Sequence, residues 1–127
     1  MSNFIFWSII VAITTAFVFV VCRSIKVLYE KRQVNLYNEN NVHRIQDVVN
    51  QIAKCDTFDE VIELRGEGFD VTNAMYEDIK KLCPSDPLYV FETKQGYIKM
   101  ILQAARLKFE QFQRFNELKS LYWQYLN

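Results

Sequence analysis

The chain contains one histidine, His43, so any nucleophilic relay of serine or cysteine through an imidazole rests on that residue alone. His43 falls on the polar side of a short amphipathic stretch, where a solvent-facing side chain is expected. Cys22, Cys55 and Cys83 stand 33 and 28 residues apart, with no CxxC pair and no clustered histidine, which argues against a zinc site. Carboxylates abound at Asp56, Asp59, Glu60, Glu63 and Glu67, but they read as a solvated helix face. Nothing in the pattern buries a pair of them, as acid–base catalysis requires. The Gly66-Glu67-Gly68 string has no strand before it and no Lys-Ser/Thr after it, so it does not make a phosphate loop. The expectation is a protein without catalytic residues, metal or cofactor, whose work is done by surfaces.

Those surfaces are set by an uneven composition. With 127 residues the chain has room for one modest domain, and a formal net charge of zero leaves no basic footprint for nucleic acid. Three glycines and two prolines are too few for a disordered linker or a turn-rich β-sandwich. The first 22 residues carry no charged side chain at all.

From Phe4 to Cys22 the sequence runs FIFWSIIVAITTAFVFVVC, with Ser8, Thr14 and Thr15 as its only hydroxyls. A helix of that length covers about 28 Å at ~1.5 Å per residue, close to the ~30 Å hydrocarbon core of a bilayer. Twelve of its residues are Ile, Val or Phe, and together they favour insertion by roughly 4 to 7 kcal/mol. In lipid the backbone must satisfy its own hydrogen bonds, so these β-branched residues are predicted helical. A buried soluble helix is the plainer alternative. A cleaved signal peptide fits poorly: the start is Met-Ser-Asn, the apolar run is long, and Val20-Val21 precede Cys22 where a lipoprotein signal wants a small residue. The reading is a permanent anchor over residues 1–22.

Arg23, Lys26, Lys31 and Arg32 follow the anchor, and no basic side chain precedes it. The positive-inside rule then puts the N-terminus outside and the rest on the cytoplasmic or matrix side of a bacterial or organellar inner membrane. Trp7 falls at the outer headgroup level and Tyr29 beyond the inner one. These four cations read as a stop-transfer flank at the inner surface, preferred over specific lipid binding. Cys22 beside Arg23 suits acylation, though an apolar filler is the simpler role. Within the span Ser8, Ala12 and Ala16 recur every fourth residue with Thr15 nearby. Small residues permit the close backbone approach by which helices associate in lipid. Phe4, Phe6, Phe17 and Phe19 occupy the other faces.

A helical extension is predicted over 23–37, with a Lys26–Glu30 pair, then a turn at Asn38–Asn41. The remainder, 38–127, reads as a small α-helical soluble domain. Val42, Ile45, Val48, Val49 and Ile52 mark a short amphipathic helix ending near Cys55. Thr57 and Glu60 form a capping-box pattern for a helix that Gly66 and Gly68 are expected to stop. Asp70 or Thr72 then caps a helix through Leu82 to Cys83. Asp86 and Pro87 suit the start of the last element, either one long amphipathic helix to Leu126 or an extended piece through Phe91 followed by a helix. Ile98, Ile101, Leu102, Ala105, Phe109, Phe112, Phe115 and Leu118 form its apolar stripe, and its repeat is nearer 3.5 than 3.6 residues, as helix–helix packing favours. Leu121, Tyr122, Trp123, Tyr125 and Leu126 close it. Phe109, Phe112, Phe115, Tyr122, Trp123 and Tyr125 are thus either core or a protein-binding stripe.

Charge is segregated along this region. Residues 55–79 hold eight acids and one base, whereas 80–127 hold eight bases and four acids. That pattern predicts the middle helices steered onto the last one, with a basic partner as the alternative. Cys55 and Cys83 are expected to be reduced inside a cell, or joined between adjacent helices if the domain lies outside. The fold class is therefore all-α: one N-terminal transmembrane helix, then a small helical domain with a long amphipathic C-terminal helix. The function expected is that of a structural or accessory subunit of a larger membrane protein complex, bound through helix–helix contacts. The alternative is a small phage or bacterial membrane regulator of lysis, entry or a host machine, acting as a homo-oligomer.

Overall fold

A computed structural model describes residues 2–126. It is all-α, with three helices: α1 over Ser2–Ala53, α2 over Phe58–Leu82 and α3 over Pro87–Leu126. No strand occurs among the described residues. Each helix packs on both others. Glu30 meets Ser85 and Tyr37 meets Asp78, so α2 runs antiparallel to α1. Asn35 meets Tyr89 and Ala53 meets Lys108, so α3 runs parallel to α1. The result is an up-down-up bundle.

Helix length dictates what the bundle leaves uncovered. At ~1.5 Å per residue α2 is about 38 Å long, α3 about 60 Å and α1 about 78 Å. The shortest helix sets the height of the packed region, and the longer two project from opposite ends. Residues 2–26 of α1 and 113–126 of α3 are exposed throughout. Between them the core takes Val34, Ile45, Val48 and Ile52 from α1, Val61, Met75 and Ile79 from α2, and Val90, Tyr97, Ile101 and Ala105 from α3. Of the face predicted after Asn41, Ile45, Val48 and Ile52 are buried and Val42 and Val49 half-buried, as the last part of the continuous α1.

Two expected breaks do not occur. α1 passes through Asn38–Asn41 without interruption. Asparagine disfavours helices when its amide competes for the local backbone, but here a tertiary partner takes the Asn38 amide, and Asn41 bonds back along the helix without breaking it. The Tyr97 hydroxyl donates to Asn38 Oδ1, the Tyr89 hydroxyl donates to Asn35 Oδ1 at 2.5 Å, and Asn41 Nδ2 donates to the Tyr37 carbonyl at 2.9 Å. Nor do Gly66 and Gly68 stop α2. At Gly68 a Cβ would lie 2.9 Å from Ile101 Cδ1 and 3.1 Å from Val48 Cγ1, so the missing side chain is what lets the three helices close together. With α2 unbroken, Asp70 and Thr72 cap nothing. The Thr72 hydroxyl instead donates to the Gly68 carbonyl at 2.8 Å.

The predicted helix starts are formed. Thr57 has extended backbone (φ −130°, ψ 156°) and its hydroxyl accepts from Glu60 N at 3.3 Å. Glu60 reaches back to accept from Asp56 N at 3.2 Å, one residue beyond the usual box partner, the N-cap N–H of Thr57. Asp86 accepts from Tyr89 N at 3.1 Å with Pro87 as the first helical residue, and of the two alternatives for the last element the single helix is the one that forms.

Candidate functional site

The residues that bear on function fall into an N-terminal rod, the turn where α2 meets α3, and the α3 tail. The rod is the N-terminal part of α1, a helix long and apolar enough to cross a membrane. Its hydroxyls are internally satisfied: Ser8 donates to the Phe4 carbonyl, Thr14 to Ile10 and Thr15 to Val11, at 2.8–2.9 Å. That pattern lets a polar side chain sit in apolar surroundings without an unpaired donor. Ser8, Ala12, Thr15 and Ala16 are all exposed, as are the phenylalanines on the other faces.

Below the rod, Arg23, Lys26 and Arg32 are exposed and Lys31 is half-buried. The expected Lys26–Glu30 pair is absent, because Glu30 is turned inward. Its two carboxylate oxygens accept from Ser85 N and Ser85 Oγ, each at 3.2 Å, and it is buried. Lys31 pairs instead with Asp86 at 3.3 Å and lies over the Tyr89 ring, 5.1 Å from its centroid. The hydrogen bond from Tyr89 N, with help from Lys31, holds the Asp86 carboxyl below the usual range. These contacts clamp the α2–α3 turn onto α1.

Past Lys108 the third helix leaves the bundle. Lys108 Nζ donates to the Ala53 carbonyl at 2.8 Å, placing a cation on the C-terminal end of α1, where the helix dipole favours it. Phe109 and Phe112 are half-buried against Phe58, with ring centroids 5.2 and 5.1 Å away. They belong to the edge of the core. Phe115, Tyr122, Trp123 and Tyr125 do not: Trp123 is 58% and Tyr125 88% exposed. The six stripe residues therefore divide, two packing internally and four presenting an open aromatic face with Leu118, Leu121 and Leu126. An apolar groove of about 340 Å³ leads up to this tail between α1 and α3, lined by Val49, Ala53, Met100, Ala104 and Leu107 among others.

His43 is exposed on α1. No group of three or more metal-ligating side chains occurs among the described residues. Cys55 and Cys83 are free and buried, and burial pushes both thiols above their ordinary pKa. They sit in the two turns, at opposite ends of α2, about 38 Å of helix apart. A disulfide between them is geometrically impossible, so their redox state carries no information on sidedness. The expected steering of α2 by α3 is also not realised as ion pairs. The pairs among the described residues are Lys31–Asp86, Lys80–Glu77 and Arg106–Glu110, none of which joins α2 to α3. Asp59, Glu63, Glu67 and Asp70 face solvent.

Several determinants lay beyond sequence reading: Gly68 as a packing site, the Glu30–Ser85 clamp, and the bonds of Tyr37, Tyr89 and Tyr97 to Asp78, Asn35 and Asn38. No family model, curated protein or solved structure matches the chain.

Proposed function

We propose that this chain is a single-pass membrane protein that works as a non-enzymatic, structural or accessory subunit of a membrane protein complex. The apolar half of α1 spans the bilayer with the N-terminus outside. The bundle stands on the cytoplasmic or matrix face, behind Arg23, Lys26, Lys31 and Arg32. The α3 tail projects away from the membrane and takes a helix of a partner subunit. One observation carries this reading: the tail's large aromatics stay exposed beyond the end of a bundle that buries a core of its own. Exposed contiguous apolar faces on a helix mark association sites. The Ser8, Ala12, Thr15, Ala16 face of the span supplies a second contact, inside the bilayer.

Photo-crosslinking in intact membranes tests this. A photoreactive residue at Phe115 or Tyr122 is expected to yield a discrete adduct with another membrane protein, whereas one at exposed His43 yields none. An adduct at twice the chain's own mass replaces the heteromeric reading with a homo-oligomer. No adduct at either tail position, from chain recovered in the membrane, contradicts the docking role.

A further inference from the structure

The end of the bundle nearest the rod has a feature that neither the anchor nor the tail explains. Beside α1, an open cleft of about 580 Å³ is lined by Phe19, Cys22, Arg23, Lys26, Pro84 and Ser85. One end of its lining is still within the apolar run, and the other carries the first two cations after it. The turn that forms the opposite wall is held there by Ser85 bonding to Glu30. From Cys22 to Lys26 the helix rises about 6 Å, comparable to the headgroup layer of one leaflet, roughly 5–8 Å. A cleft that is greasy on one side and cationic on the other, at that depth, has the polarity of a phospholipid.

The acids around it are already engaged. Glu30 accepts twice from Ser85, and Asp86 is taken by Tyr89 N and Lys31. Arg23 and Lys26 make no ion pair among the described residues. The last turn of α2, at the same end, adds Lys80 and Lys81, with Lys80 directed to Glu77 at 3.7 Å. Two unpaired cations face a wall without an available carboxylate, and an anionic phosphate satisfies them.

We infer that this cleft binds the headgroup phosphate of one anionic membrane phospholipid, with an acyl chain against Phe19, so that lipid cements the α2–α3 turn to the anchor. The inference rests on the spanning role proposed above. Native mass spectrometry of the full chain, released from neutral detergent micelles holding equal phosphatidylglycerol and phosphatidylcholine, is the test. One phosphatidylglycerol per chain is expected, preferred at least about five-fold, the factor one juxtamembrane cation supplies. R23Q/K26Q abolishes the preference. So does P84E, which puts an acid on the opposite wall and leaves the anchor's flanking charges intact. K119Q, on the tail, leaves it unchanged, and alkylation resistance of Cys83 verifies that each variant is folded. Equal retention of both lipids overturns the site. A preference that survives P84E in folded protein overturns it too, as diffuse surface charge. Displacement by equimolar glycerol phosphate would assign the cleft to a soluble anion instead. Carbonate washing of the same membranes separates the two claims: chain that stays in the pellet yet shows no lipid preference defeats only the site, while chain lost to the supernatant defeats the anchor.

Discussion

Alanine at each glycine should discriminate sharply between positions that look alike in sequence. In an open helix interior, Gly→Ala stabilises by about 1 kcal/mol through the lost backbone freedom of the unfolded chain. Gly66 and Gly96 have nothing within 4 Å of the new methyl group, and both substitutions should gain that amount. At Gly68 the same methyl group meets Ile101 Cδ1 at 2.9 Å, Val48 Cγ1 at 3.1 Å and Ile101 Cγ1 at 3.2 Å. Ile101 is fully buried and β-branched, so it has no empty space to rotate into. Overpacking of this kind costs about 1–3 kcal/mol, so G68A should be net destabilising by up to ~2 kcal/mol once the backbone gain is subtracted. The chain carries its own reporters. Cys55 and Cys83 are both buried, so each reports opening of the bundle. Alkylation of the buried thiols in the micelle-bound full chain, under conditions where it tracks the open population, should slow about five-fold in G66A. In G68A it should quicken by up to about thirty-fold. Slowing in G68A equal to that in G66A would refute the claim that close helix approach, rather than chance, put glycine there.

Other perturbations follow the same logic. Glu30→Ala removes the acceptor for Ser85 N and Oγ, so the turn should loosen by about 1–3 kcal/mol and Cys83 should become alkylatable before Cys55. Thr57→Ala should cost about 1 kcal/mol through the lost cap, read as a lower unfolding midpoint in urea. Burial, with Asp78 beside one hydroxyl, pushes Tyr37 and Tyr97 up to about 12 from 10.0. Because the folded pKa is the higher one, their contribution is whole below pH 10 and disappears as pH rises toward 12. Spectrophotometric titration should show the late-ionising tyrosines lost in Tyr37→Phe and Tyr97→Phe, and stability should decline across that same window.

Much of the architecture was legible from local chemistry. The uncharged helical opening run and the Thr57 and Asp86–Pro87 helix starts are each written in adjacent residues, and all are formed. Where reading failed, the deciding partner was remote. Asn38 looks like a turn residue until Tyr97, fifty-nine positions on, binds its amide, and Gly68 looks like a stop until Ile101 and Val48 fill its space. Charge segregation misled for a related reason: exposed ion pairs contribute only about 0–1 kcal/mol, too little to dictate packing against the apolar stripes. The C-terminal aromatics were ambiguous because a stripe continues past the point where its neighbours end. Only the relative lengths of α2 and α3 divide Phe109 and Phe112 from Phe115, Tyr122, Trp123 and Tyr125.

The spanning role of the N-terminal rod is tested most directly by alkaline carbonate extraction of membranes expressing the full-length chain, followed by blotting of pellet and supernatant. Intact protein is expected in the pellet, released only by detergent. Intact protein in the supernatant would contradict the anchor and, with it, the stance of the bundle on the bilayer.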